Sequence, residues 1–139
     1  MGWTIDMEVT YQIPSPQDYL DLRKAAGLSL MSLDGAQKGL PNTLFAVSLM
    51  EEGKLIGMGR VVGDGGLQFF VTDIAVNPDY QGKGYGKTIM GEVRKYLDEH
   101  VPEKGLVSLL ADIPADRLYE QYGFTHSAPE SAGMHWKQK

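Results

Sequence analysis

The stretch DIAVNPDYQGKGYG, Asp73 to Gly86, runs from an apolar strand end through a proline turn into three alternating glycines, and a helix-period pattern starts directly after it. Glycine carries no Cβ, so Gly82, Gly84 and Gly86 leave backbone N–H groups uncovered and let a ligand come close. The N-terminus of the following helix adds partial positive charge. This combination suits a phosphate, and a glycine-rich connection that merely turns the chain is the plain alternative. Spacing tests two phosphate motifs. A P-loop ending in Gly86, Lys87 and Thr88 requires glycine where Gln81 stands, and a dinucleotide fingerprint begun at Gly82 requires glycine where Lys87 stands. Both fail, and the strand ahead of the loop belongs to a meander rather than opening a βαβ unit.

Upstream of the loop, Leu44 to Met50, Leu55 to Val62 and Leu67 to Val76 are apolar runs separated by EEGK and GDGG, which predicts three antiparallel strands. Before them, Trp3 to Ile13 alternates Ile5, Met7, Val9, Tyr11 and Ile13 with polar residues and predicts a half-buried strand ending at Pro14. Ser15, Pro16 and Asp18 read as cap, first position and acidic first turn of a helix that carries Tyr19, Leu22 and Ala26 and stops at Gly27. Leu28 to Thr43 mixes apolar residues with Asp34, Gly35, Gly39 and Pro41 and reads as a loop or broken helix, the kind of segment that forms binding walls.

Downstream, Ile89 or Met90, Val93, Tyr96 or Leu97, and Val101 predict one long helix ending before Pro102. Leu106 to Ala111 predicts a strand, and the strand–helix–strand order requires a parallel, right-handed crossover. Ala115 to Tyr122 reads as a short helix closed by Gly123, with Phe124 to Thr125 and Met134 to Trp136 as final strands.

The whole chain has 139 residues, room for one domain, residues 1–139. Apolar residues at 42% and charged residues at 22% exclude global disorder. There is no cysteine, which excludes a disulfide framework, a thiolate metal site and a cysteine nucleophile. His100, His126 and His135 stand singly without ligand spacing, so no metal is expected. A net charge of −5 argues against nucleic acid and anionic membrane as partners and suits a cationic or small neutral one. No apolar run approaches the ~18 residues of a membrane span and the N-terminus lacks a signal-peptide pattern, so a cytoplasmic protein is expected.

Asp73 to Gly86 resembles the pyrophosphate loop of the GNAT superfamily of acyl-CoA-dependent N-acyltransferases, which reads Q/R-x-x-G-x-G/A after a strand ending in valine and a proline turn; Gln81, Gly84 and Gly86 fill its defined positions. ADRLYEQYGF, Ala115 to Phe124, is similar to the family's A-x-x-L-Y-x-x-x-G-F helix. The resemblance implies an α/β fold with a mixed, mostly antiparallel sheet, a βαβ crossover and helices on both faces. It also implies acetyl-CoA as cosubstrate, transfer of its acetyl group to a small primary amine by direct attack, and the dimer common in the family. The other classes left open are a non-catalytic acyl-CoA-binding module of the same fold and a nucleotide-binding α/β protein.

Carried onto this sequence, the resemblance implies that Ile74, Ala75 and Val76 meet the pantetheine arm through main chain, and that Gln81, Gly82, Lys83, Gly84, Tyr85, Gly86 and Lys87 hold the pyrophosphate. Tyr119 takes the place of the family's general acid, and backbone N–H near Val76 that of the oxyanion donor. The glutamate that some members carry six residues before the strand's last valine is Phe70 here, and Asp112 stands where an asparagine is common. Asp73 is the remaining base candidate, acting through a water, with a structural role as its alternative. Arg60, alone in an apolar strand, either holds an acceptor carboxylate, faces solvent, or pairs with Asp64 or Asp73.

Overall fold

A computed structural model describes residues 7–138. Its backbone divides into two compact units, one ending at Leu109 and one starting at Leu110.

The first unit is built on a five-stranded sheet in the order β1-β2-β3-β4-β5. The strands β1 (Glu8–Thr10), β2 (Phe45–Glu51), β3 (Lys54–Gly63) and β4 (Gln68–Val76) run antiparallel in succession, and β5 (Leu106–Ser108) lies parallel to β4. The EEGK turn is a two-residue hairpin in which Glu52 and Gly53 both have positive φ, at 51° and 78°, the geometry that matches strand twist. At GDGG, one oxygen of Asp64 accepts the N–H groups of Gly66, Leu67 and Gln68 at 2.9, 2.7 and 3.1 Å. These donors, that of Gln68 foremost, lower the Asp64 pKa. A lowered carboxylate pKa stabilises the fold above the unfolded value of about 3.9, and the gain is lost as pH falls through the folded value. The Tm of the protein is therefore expected to exceed that of Asp64→Asn at pH 6, with the gap closing in strong acid; a pH-independent gap would refute the charge contribution.

Helices cover both faces of this sheet. Ser15 Oγ accepts the Asp18 N–H at 3.2 Å and opens α1 (Pro16–Ala25), with Pro16 in its first turn. Tyr19 and Leu22 of α1 pack with Met58 and Ala75, joined by Ala36 of α2 (Leu33–Gly39) and Leu40 of the 3-10 turn after it. On the opposite face lies α3 (Tyr85–His100), whose buried Ile89, Met90, Val93 and Leu97 repeat at helical spacing. Gly59 permits that approach: a Cβ there would sit 2.7 Å from Ile89 and 2.9 Å from Ile74.

The second unit contains one short helix, α4 (Asp116–Glu120), followed by Gly123 with φ 93°. Phe124 turns back so that its N–H meets the Tyr119 carbonyl at 3.3 Å and its ring meets the Tyr119 ring edge-on, centroids 6.5 Å apart. His126 Nε2 lies 3.3 Å from Asp116 and 3.5 Å from Glu120.

Three expectations are corrected. No strand comes after Ser108 among the described residues, so Phe124 to Thr125 and Met134 to Trp136 are not strands; Met134 and Trp136 are 89% and 85% exposed. Short apolar runs become strands only where a neighbour supplies ladder bonds, which their sequence does not specify. The strand expected over Leu106 to Ala111 stops at Ser108, where its pairing with β4 ends. The first strand narrows to Glu8–Thr10 because only these residues pair with β2; the part of the expected run up to Asp6, including Trp3 and Ile5, lies outside the described residues.

Candidate active site

Two places concentrate chemistry in the first unit, and both belong to β4. At its C-terminal end the strand outruns its parallel neighbour. β5 pairs only with Gln68, Phe69 and Phe70, and Val71 to Val76 continue past its end. Asn77 then closes the strand, its N–H on the Ile56 carbonyl at 2.8 Å and its side-chain oxygen accepting the Asp79 N–H at 2.9 Å. Pro78 starts a 3-10 turn to Tyr80, and the Gln81 side chain reaches back to the Val76 carbonyl at 3.4 Å.

Gly82 and Gly84 have φ of 83° and 80°, the left-handed region, and a Cβ built on either would meet nothing within 4 Å. The loop thus needs glycine for its backbone path, and the space beside it is open. Gly84 is the cap residue of α3 and supplies no side-chain acceptor for the first N–H groups of the helix, those of Tyr85 and Gly86 among them. Such donors at the N-terminus of a 16-residue helix, beside the open space of the loop, make a cradle of the kind that suits an anion. Tyr80 flanks the loop, with Lys83 Nζ 5.5 Å and Lys54 Nζ 5.9 Å from its ring centroid. Lys54 was not among the expected residues. It is the first residue of β3, far from the loop in sequence, and the sheet register brings it to Tyr80.

The second place is a buried ion cluster. Asp73 is 7% exposed, and its Oδ1 accepts from Arg23 Nη1 and, at 3.0 Å, from the Tyr19 hydroxyl. Its Oδ2 accepts from Arg60 Nη1 at 2.6 Å. Both guanidiniums flank the Tyr19 ring, 5.8 and 5.7 Å from its centroid. Each arginine also reaches beyond the carboxylate. Arg23 binds the Ser29 carbonyl through Nε and Nη2 at 3.1 and 2.7 Å, and Arg60 Nε binds Thr43 Oγ1 at 3.0 Å. Burial, ahead of the Asp73 charge, raises the Tyr19 pKa, so its phenol stays a donor.

The cluster gives Arg60 a carboxylate partner. Its partner is Asp73, and Asp64 is occupied in its own turn. Asp73 likewise has both oxygens covered by three donors, an arrangement that suits its structural alternative. Arg23 was missed. Its signal was its spacing, four residues after Tyr19, which places the two on the same helix face.

In the second unit Tyr119 is half-buried, and desolvation first, then the Asp112 charge, raises its pKa. It is therefore a protonated donor at neutral pH. Among the described residues no three His, Cys, Asp or Glu side chains gather into a metal site, and no helix is long and apolar enough to cross a membrane.

The profile of a family described as "Acetyltransferase (GNAT) family" matches residues 7–124. The chain belongs to the GNAT family. Its five-stranded mixed sheet with helices on both faces is the fold this membership implies. Among GNAT relatives it is similar to "GCN5-related N-acetyltransferase 2, chloroplastic" of Arabidopsis thaliana, 36% identical over 90 residues, which is 64% of this chain and 34% of that protein. It is also similar to "Uncharacterized N-acetyltransferase ycf52-like" of Prochlorococcus marinus, 32% identical over 108 residues, 75% of this chain and 59% of that one. The chain thus spans from about a third to about three fifths of the length of these GNAT relatives. A crystal structure from meticillin-resistant Staphylococcus aureus, described as a protein of unknown function and probable acetyltransferase, matches with a TM-score of 0.92 at 49% identity. The match covers 96% of this chain and 100% of that one.

Proposed function

We propose that this chain is an acetyl-CoA-dependent N-acetyltransferase acting on a small-molecule primary amine, and that its two units belong to one transferase domain, since the family match runs through their boundary. The observation that carries the reading is the cradle after β4. Left-handed Gly82 and Gly84 with open space beside them, at the uncapped N-terminus of a 16-residue helix, fit the pyrophosphate of CoA.

In this reading the N–H groups of Tyr85, Gly86 and Lys87 hold the pyrophosphate, while Gln81, Gly82, Lys83 and Gly84 shape the loop. The peptide groups of Ile74, Ala75 and Val76 lie on the part of β4 that β5 leaves, and bind the pantetheine arm. When bound, acetyl-CoA supplies the activated acetyl group. Tyr119 gives its phenol proton to the departing sulfur, and the raised pKa keeps that proton in place until it is needed. A net charge of −5 suits a cationic amine. Arg60, being bound to Asp73 and Thr43, lends no support to an acceptor chosen for its carboxylate.

The test is a melting-temperature comparison with acetyl-CoA, CoA, NAD and ATP, since a ligand at ~100 times its Kd adds about 2.7 kcal/mol. Acetyl-CoA and CoA are expected to raise the Tm by several degrees, and thiol release with an amine panel then reports turnover. A rise with NAD or ATP alone refutes the assignment, and CoA binding without turnover across the panel favours a binding module. Gly84→Val tests the cradle. A β-branched residue at φ 80° is strained, so CoA affinity is expected to fall by about tenfold or more while the far-ultraviolet spectrum keeps its shape.

A further inference from the structure

We infer that Asp73 is a positioning residue for the cofactor strand: its clamped side chain holds a left-handed kink in β4 that sets where the peptide groups of Ile74 to Val76 stand. The inference rests on the acetyl-CoA reading above. Its observations are local to the strand. Asp73 has φ 57°, a conformation rarely taken by a residue other than glycine in the middle of a strand. At the same place the register slips. Met58 pairs with Ala75 and Arg60 with Thr72, so two steps along β3 match three along β4, and one extra residue is inserted. Such a bulge bends its strand and re-aims the residues beyond it. In β4 those residues are Ile74, Ala75 and Val76, which lie past the reach of β5.

A strained backbone persists only where its surroundings over-determine it. The surroundings of Asp73 do so from two elements at once. Tyr19 and Arg23 hold its carboxylate from α1, and Arg60 holds it from β3, the strand past which the bulge slips. All four side chains are on residues no more than 8% exposed, so water does not compete for these bonds. With the clamp intact the kink has one conformation; without it, β4 can return to regular register and move Ile74 to Val76 by one residue.

The two halves of CoA separate this role from a general structural one. The nucleotide half, 3′-phospho-ADP, meets the glycine loop, whereas the pantetheine arm meets the strand. Asp73→Asn and Arg60→Met are to be titrated calorimetrically with CoA and with 3′-phospho-ADP. Arg60→Met leaves Arg23 and Asp73 as a balanced pair and decides the matter should Asp73→Asn not fold. The expected result is a CoA affinity lowered by about tenfold, with the affinity for 3′-phospho-ADP held within about twofold of the unaltered protein. Equal weakening of both ligands, or no change in either, overturns the inference while leaving the acetyl-CoA reading intact. Failure of the unaltered protein to bind either ligand overturns both.

Discussion

Asp73→Ala is expected to destabilise the protein by about 3–5 kcal/mol, the usual cost of leaving buried charge uncompensated. The substitution removes the one carboxylate between Arg23 and Arg60, whose side chains are 7% and 10% exposed. Neither guanidinium can rotate into water without breaking its second bond, to Ser29 or to Thr43. The Tyr19 hydroxyl loses its acceptor at the same stroke. For a domain of this size the loss corresponds to a Tm lower by roughly 10–20 °C, read by calorimetry at neutral pH. Replacing the whole cluster by apolar residues of similar volume is a different experiment and is expected to cost far less. A single Asp73→Ala variant that melts within a few degrees of the parent would show that the guanidiniums find other partners and that the cluster does not hold α1 on the sheet.

In the proposed reaction Tyr119→Phe carries the second large effect. Loss of a general acid lowers the chemical step by about a hundredfold or more. The phenyl ring preserves the edge-on contact with Phe124, so the fold and the KM for acetyl-CoA are expected to stay near parental values while kcat falls. The pH dependence supplies the sign. The acid must be protonated to act, burial raises its pKa, and so kcat is expected to fall only above about pH 10, a limb absent from the variant. An unchanged kcat in Tyr119→Phe would sink the acid role and leave the ring as packing.

The glycine loop and the long helix after it were legible in the sequence because their signals are local. A spacing of two between glycines and a 3.6-residue period of Ile89, Met90, Val93 and Leu97 need no knowledge of the rest of the chain. Turn chemistry was legible for the same reason: Gly53 in a hairpin and Asp64 in a bracket of backbone donors act within a few residues. The ion cluster was legible only by half. An arginine among apolar residues announces that Arg60 needs a partner, yet choosing Asp73 over the nearer Asp64 depends on the β3–β4 register, and that register contains a bulge no periodicity reveals. Met134 to Trp136 failed for the converse reason, since two apolar residues around His135 contain no information about a neighbouring strand.

Ser29 and Thr43 bracket the segment that crosses from α1 to β2, and each end is tied by an arginine to the same aspartate. Between those ties Leu30, Met31 and Leu33 are 80%, 53% and 48% exposed, while Ala36 and Leu40 alone anchor the middle in the core. The consequence is a natural cassette. Its borders are fastened to the scaffold, so its outward residues can be randomised as a library without disturbing the frame.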